Sequence, residues 1–264
     1  MKVFPITAFQ PKGDGGFNAR VSCGDVQQNV DHNNGYAHFT PGQPERTDRV
    51  AIVGYGPSLK RTAGEIGEGF DAVWTVSGAH DFLLGKGINP THHTDIDWRA
   101  HKAHMVTPRE GVRYVMANTI HPRYAAKLKT HALTMFQPVG EKETPFFRYG
   151  EYPKLRVPGD VTTAAMVAAY ELGYREFELF GVDGSEDLDA SHAGEHNGVK
   201  SDVVYVTDTE FTLYKTTQAL IVSNMIMCAT IDALEAKGCE ISINSDGLLP
   251  RWVKMHNARK VKHG

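Results

Sequence analysis

The sequence predicts an α/β domain of Rossmann type, a mostly parallel sheet with helices on both faces. Three observations carry that expectation. From Arg49 onward, short apolar runs of strand length alternate with segments of helix length. The first such run ends in a glycine turn that opens a helix. An alanine-rich segment late in the chain leads directly into another apolar run.

The elements follow in order. Arg49-Val-Ala-Ile-Val53 is a compact apolar strand ending in Gly54 and Gly56, and Pro57 suits the first turn of the helix after it. Phe70-Asp-Ala-Val-Trp-Thr-Val76 is the second strand, followed by a short helix from Ala79 that Gly85 and Gly87 close. A third strand starts near Thr91 and delivers Asp95 and Asp97 to its carboxyl end. Val112-Arg-Tyr-Val-Met116 is a fourth strand, residues 122–129 a helix and 132–136 a further strand. Prolines and glycines mixed with charges and aromatics make 140–158 an irregular loop. Asp160 caps the alanine-rich helix that Gly173 ends, and Phe177-Glu-Leu-Phe180 runs into Gly181-Val-Asp183. Thr207 and Glu210 have capping-box spacing, which predicts a long helix over 208–237. Cys239-Glu-Ile-Ser-Ile243 is the last strand.

Composition sets the surroundings of this unit. Residues 1–48 read as an irregular N-terminal arm rich in Gly, Asn, Gln and Pro, packing on the domain or on a partner subunit. Residues 49–250 form the nucleotide-binding or transferase domain. Residues 251–264 form a basic tail that solubilises the chain or brings Arg251 and Lys254 to a phosphate. With 28 basic and 31 acidic residues and a net charge of −3, no global positive field exists to hold nucleic acid. Three cysteines without CxxC spacing indicate neither a disulfide framework nor a cysteine metal site. No apolar run approaches the roughly 18 residues of a membrane span, and the N-terminus has no apolar run of signal length. The expectation is a soluble, cytoplasmic protein, with a homo-oligomer left open.

In parallel α/β sheets, ligands bind outside the carboxyl ends of the strands. The turn Gly54-Tyr55-Gly56-Pro57-Ser58 offers two glycines that let backbone approach a ligand, a helix start that attracts an anion, and the Ser58 hydroxyl. Leu59 replaces the third glycine of a full GxGxxG and no Walker lysine is present, so a structural turn without ligand stays open. Ser77 and Gly78 follow the second strand. Asp95 and Asp97, two apart, share a face of an extended strand, which suits Mg2+ or sugar hydroxyls; the alternative is a helix cap before Trp98. Asp97 is also a candidate catalytic carboxylate. Asp183 directly follows a strand, where a carboxylate stands over bound substrate. The loop after it carries Glu186, Asp187, Asp189, His192, Glu195 and His196. His192 is the candidate acid or base, since histidine titrates near ~6.5. A metal held by His192 and His196 matches no standard spacing, and a solvated surface loop explains most of these charges.

Two blocks together carry a resemblance: Val50-Ala-Ile-Val-Gly-Tyr-Gly-Pro-Ser-Leu59 and, far downstream, Thr162-Thr-Ala-Ala-Met-Val-Ala-Ala-Tyr-Glu-Leu-Gly-Tyr-Arg-Glu-Phe-Glu-Leu-Phe-Gly-Val-Asp183. Over residues 49–200 the chain resembles bacterial sialyltransferases that open with a G-N-G-P-S-L turn. It also resembles the motility accessory factor group, with the archaeal-type hydroxymethyl-dihydropterin pyrophosphokinases similar to it. Either resemblance implies nucleotide use and adds Thr162 and Thr163 to the cofactor-binding set. The sialyltransferase-like reading implies a nucleotide-sugar phosphate on the turn and His192 as base toward the acceptor hydroxyl; Tyr55 stands where those enzymes have Asn. The pyrophosphokinase-like reading implies ATP on the same turn and Mg2+ on Asp95 and Asp97, and Ser191-His-Ala-Gly-Glu-His-Asn197 is similar to that family's histidine and glycine segment. A nucleotide-binding scaffold without catalysis would need only the turn. The leading expectation is a glycosyltransferase-like enzyme with a nucleotide-sugar donor and an unknown acceptor.

Overall fold

The computed structural model describes residues 3–5, 23–67, 69–140, 148, 150–187, 192–193 and 203–263. Its centre is the run of strands that the alternation predicts: β3 (Arg49–Val53), β4 (Ala72–Val76), β5 (His92–Thr94), β6 (Arg113–Ala117), β7 (Ala132–Val139), β9 (Glu176–Phe180) and β12 (Glu240–Asn244). Two short strands complete it, β2 (Ala37–His38) and β8 (Lys154–Arg156). The order is β12-β9-β3-β4-β5-β6-β7-β2, with β8 also on β7, and every pairing is parallel. The fold is thus α/β, Rossmann-like, with the switch in strand order at β3.

Side chains alternate between the faces of each strand. Val50, Ile52, Trp74 and Val76 meet α5 (Val161–Glu171), α6 (Gln218–Glu235) and α7 (Leu248–His263) on one face. Ala51, Val53 and Val73 meet Leu59 of α2 (Leu59–Thr62) and Leu83 of α3 (Ala79–Gly85) on the other. Further along that second face, Tyr114, Met116 and Met135 meet α4 (Pro122–Leu128). Six alanine or threonine positions of α5 are buried, which lets its backbone lie close across β3, β4 and β5. Asp160 accepts from the Thr163 N–H at 2.9 Å and Thr163 Oγ1 accepts from the Asp160 N–H at 3.1 Å, the capping box that holds the helix start.

Two stretches are more regular than their composition predicts. The arm contains α1 (Cys23–His32) and β2, and its asparagines are working donors rather than turn formers. Asn29 Nδ2 donates to the Trp98 and Thr119 carbonyls, and Asn33 Nδ2 to those of Asn118 and Ile120, at 2.7–3.0 Å. The basic tail is α7, anchored by buried Leu248, Leu249 and Trp252. Its Arg251 reaches Glu210 at 3.2 Å and Asp208 at 3.8 Å, so this guanidinium is directed at acids rather than at a phosphate.

The helix expected over 208–237 is corrected at its start. Residues 203–217 form a hairpin, β10 (Val203–Thr207) and β11 (Leu213–Thr217), with β1 (Val3–Pro5) beside β10 in a separate three-stranded sheet. Asp208 Oδ1 accepts from the N–H groups of Glu210 and Thr212 and folds the turn. Thr217, not Thr207, caps the helix, accepting from the Leu220 N–H at 3.2 Å. The β-branched run on both sides of Asp208 outweighs the helical spacing of Phe211 and Tyr214.

Beneath the sheet's carboxyl edge lie buried, neutral histidines. His92 stacks on Trp74 at 4.5 Å. His93 and His80 share the Thr75 hydroxyl at 3.1 and 3.3 Å, and His93 Nε2 meets the Tyr124 hydroxyl at 3.1 Å. Burial pushes His92 down to about 3 and lowers His80 and His93 as well. Below the ordinary histidine value of ~6.5 the unfolded chain takes up protons that these rings refuse, so stability is full above that value and drains as pH falls. Asp95 and Asp160, whose carboxyls burial pushes up, pull the other way, two groups against three. The urea midpoint should be level from about pH 8 to 7 and decline from about pH 6.5 to 5; a midpoint that holds or rises there contradicts neutral burial.

Candidate functional site

The glycine turn leaves β3 beside the turn that leaves β9, at the switch in strand order. The Gly54 N–H donates to the Phe180 carbonyl at 2.8 Å and the Gly56 N–H to the Gly181 carbonyl at 2.7 Å. The Ser58 N–H donates to Asp183 Oδ2 at 2.8 Å. Ser245, just past β12, donates its hydroxyl to Asp183 Oδ1 and lies 3.2 Å from the Ser58 hydroxyl. Asp183 and Ser58 are buried, and a Cβ at Gly56 would collide with Asp183 Oδ2 and stand 2.6 Å from the Gly181 oxygen. The turn expected to receive a ligand anion therefore receives the chain's own carboxylate. Its glycines serve a close approach between two strand ends.

Tyr55 alone of the turn reaches sideways. Its ring covers Gly78, where a Cβ would stand 2.7 Å from Cδ1, so glycine is required there for the ring to lie flat on the start of α3. The Ala193 N–H donates to the Tyr55 carbonyl at 3.1 Å, and the His192 ring lies 5.6 Å from the Tyr55 ring, tilted by 45°. His192 is half-buried. Its predicted metal partner His196, with Asp189 and Glu195, lies outside the described residues.

Ser77, next along, holds a left-handed backbone with φ 50°, a strained state for a residue with a Cβ. Its hydroxyl accepts from Lys102 Nζ at 2.9 Å. Lys102 comes from the short 3-10 segment Ala100–His104 and is only 7% exposed. It lies 3.8 Å from Asp97 Oδ2. Asp97 is gripped through both oxygens by the Arg99 Nε at 2.9 and 3.1 Å; burial pushes its carboxyl up, but the Arg99 bonds and Lys102 hold it below the usual range. Asp95 Oδ1 accepts from the Ile96 and Asp97 N–H groups, while its buried Oδ2 has no partner among the described residues. Burial pushes the Asp95 carboxyl up, with Lys102 opposing.

The sequence-derived residues thus fall into groups. His192, Tyr55, Gly78 and Ser77 form a chain of contacts that Lys102 continues to Asp97 and Asp95. Gly54, Gly56, Pro57, Ser58 and Asp183 form the clasp beside it. Thr162 and Thr163 begin α5, where Thr163 is committed to the cap. Lys102, Asn29 and Asn118 are additions that the sequence did not single out; Asn118 follows β6 and donates to Gln137 Oε1 at 2.8 Å. A buried cation three residues past Arg99, in a short 3-10 segment, has no periodic signal to mark it. An open cavity of about 720 Å³ lies at the opposite edge of the sheet, between Thr91 and Val112, and includes none of these residues. Among the described residues, no three His, Cys, Asp or Glu side chains are placed to share a metal ion, and no helix is long and apolar enough to cross a membrane.

The family described as 6-hydroxymethylpterin diphosphokinase MptE-like matches residues 26–187, from α1 through the Asp183 clasp. The chain belongs to that family. A MAf glycosyltransferase from Magnetospirillum magneticum AMB-1 has the same fold, with a TM-score of 0.64 and 17% identity over 85% of this chain. The matched region is 37% of that protein, so this MptE-like chain spans little more than a third of its length. A mammalian sialyltransferase in complex with Gal-beta-1-3GalNAc-ortho-nitrophenol aligns over 91% of this chain and 89% of its own, at 11% identity and a TM-score of 0.40. No curated protein matches.

The clasp makes the first mutational prediction. Gly56→Ala should destabilise the fold by about 1–3 kcal/mol through overpacking against Asp183 and Gly181, read as a shift in urea midpoint. In a double-mutant cycle, Asp183→Ala should recover part of that loss. Strict additivity of the two would show that the carboxylate is not what the added methyl meets.

Proposed function

We propose that this MptE-like chain is a nucleotide-dependent transferase of the glycosyltransferase type, with a nucleotide-sugar donor across the carboxyl ends of β3, β4 and β5. The observation that carries this reading is the Tyr55–His192 ring pair over Gly78. It sets an imidazole beside an aromatic surface, at the strand ends where Ser77, Asp95 and Asp97 bring polar groups.

In this reading His192 takes the proton of the acceptor hydroxyl as its oxygen attacks the sugar carbon bearing the nucleotide. The bond from that carbon to the nucleotide oxygen breaks, and the nucleotide leaves with the electron pair. Tyr55 positions the imidazole, and Asp97 and Arg99 hold the edge of the donor pocket. A divalent cation fits the donor set in a limited way: Mg2+ takes one or two carboxylate oxygens plus phosphates. Asp95 Oδ2 is such an oxygen, without a partner among the described residues, whereas Asp97 is engaged by Arg99. When bound, the cation would neutralise charge on the departing phosphate.

A second reading is favoured by the family match: transfer of a diphosphate from ATP to a hydroxymethyl group, with His192 again accepting the hydroxyl proton. Both readings share the donor's phosphates and differ in which bond breaks. A thermal-shift panel of CMP-, UDP- and GDP-sugars against ATP, each with and without Mg2+, separates them. A ligand at 100 times its Kd should add about 2.7 kcal/mol of apparent stability. A sugar nucleotide should give the largest rise; the largest rise with ATP and Mg2+ would turn the assignment to diphosphate transfer. His192→Ala should lower turnover by about 100-fold to 10,000-fold while leaving donor binding intact, and unchanged turnover would place the base elsewhere.

A further inference from the structure

We propose that the donor's phosphates are received by the Ser77–Lys102 pair, with a divalent cation on Asp95, and not by the glycine turn; this rests on the nucleotide-dependent reading above. At the turn the place of an anion is taken. The Ser58 N–H is bonded to Asp183 and the Gly56 N–H to Gly181, and the helix that follows, α2, is four residues long. On the side of Gly56 the turn is filled by the buried Asp183 carboxylate, which even an added Cβ would strike.

Lys102 presents the opposite situation. An ammonium has three donors, and one of them goes to Ser77 Oγ at 2.9 Å. Asp97 at 3.8 Å is beyond hydrogen-bond reach, and no other partner of Nζ exists among the described residues. A lysine so buried is costly unless its charge and its donors are met. Nearby, Asp95 Oδ2 is a buried oxygen with no partner among the described residues. A lysine with donors to spare and a carboxylate oxygen without a partner among the described residues, within a single cluster, fit a ligand that brings both acceptors and a cation. Phosphate oxygens would accept from Lys102 and from the Ser77 hydroxyl, and the cation riding on them would take Asp95 Oδ2. The strained φ of Ser77 turns its side chain toward Lys102, a conformation held at a cost that a purely structural turn would avoid by using glycine. The ligand class is a nucleoside diphosphate or a nucleotide bearing one, bound as its Mg2+ complex.

The experiment is isothermal titration of the full chain with ADP, UDP and inorganic pyrophosphate, each with Mg2+. Lys102→Met should weaken binding about tenfold or more, the loss of a charged hydrogen bond, and Lys102→Arg should restore most of it. Ser77→Gly is compatible with the left-handed backbone and removes the hydroxymethyl side chain; it should weaken binding several-fold and decides the matter if Lys102→Met fails to fold. Wild-type binding with both variants equally tight overturns this assignment and leaves the nucleotide reading standing. A wild-type chain that binds none of these probes and no sugar nucleotide overturns both.

Discussion

The structure depends on one buried carboxylate. Asp183 ties the end of β9 to the turn after β3 through Ser58, and to the segment after β12 through Ser245. The Leu249 N–H adds a bond to its backbone oxygen at 2.8 Å, drawing in the start of α7. Three strand ends that are distant in sequence are thus fixed at the switch point by a single side chain. A buried carboxylate without these donors would be expensive, and the backbone and hydroxyl donors it meets are what make it tolerable. Because the clasp fixes the turn, it also fixes Tyr55, and through Tyr55 the ring of His192 and the start of α3.

Much of the fold was legible because its strands are buried on both faces and read as apolar runs. Val50 to Val53 and Ala72 to Val76 needed no other signal. The capping box at Asp160 and Thr163 was legible because it is local. The start of α6 was misread because Phe211 and Tyr214 happen to fall at helical intervals, while the Asp208 turn is a matter of side-chain hydrogen bonds that periodicity does not record. Residues 23–38 were hidden for a related reason: Asn29 and Asn33 look like turn formers, and only tertiary placement shows them donating to loop carbonyls 69 to 90 positions away.

The site divides in the same way. Tyr55, Ser77, Gly78, Asp95 and Asp97 were legible from their position just after strands, a consequence of parallel topology alone. Lys102 was not, since it sits in a 3-10 segment where no pattern sets one lysine apart from another. The close approach of two strand ends at these glycines was not legible, because a glycine that admits a phosphate and one that admits a neighbouring strand end leave the same letters. Distinguishing them takes the partner, here Asp183 and Gly181.

The two short strands on β7 bear on a separate hazard. β2 lies against Thr134 and Met135, and β8 against Gln137 to Val139, so the outer boundary of a nine-stranded parallel sheet is shared between pieces of two and three residues. The outward positions include exposed Lys154 and Arg156. A long, flat, uncharged strand there would offer a template for pairing with another chain. Splitting it into two stubs from separate parts of the sequence leaves no continuous ladder to extend, which guards the most β-rich part of the molecule against aggregation.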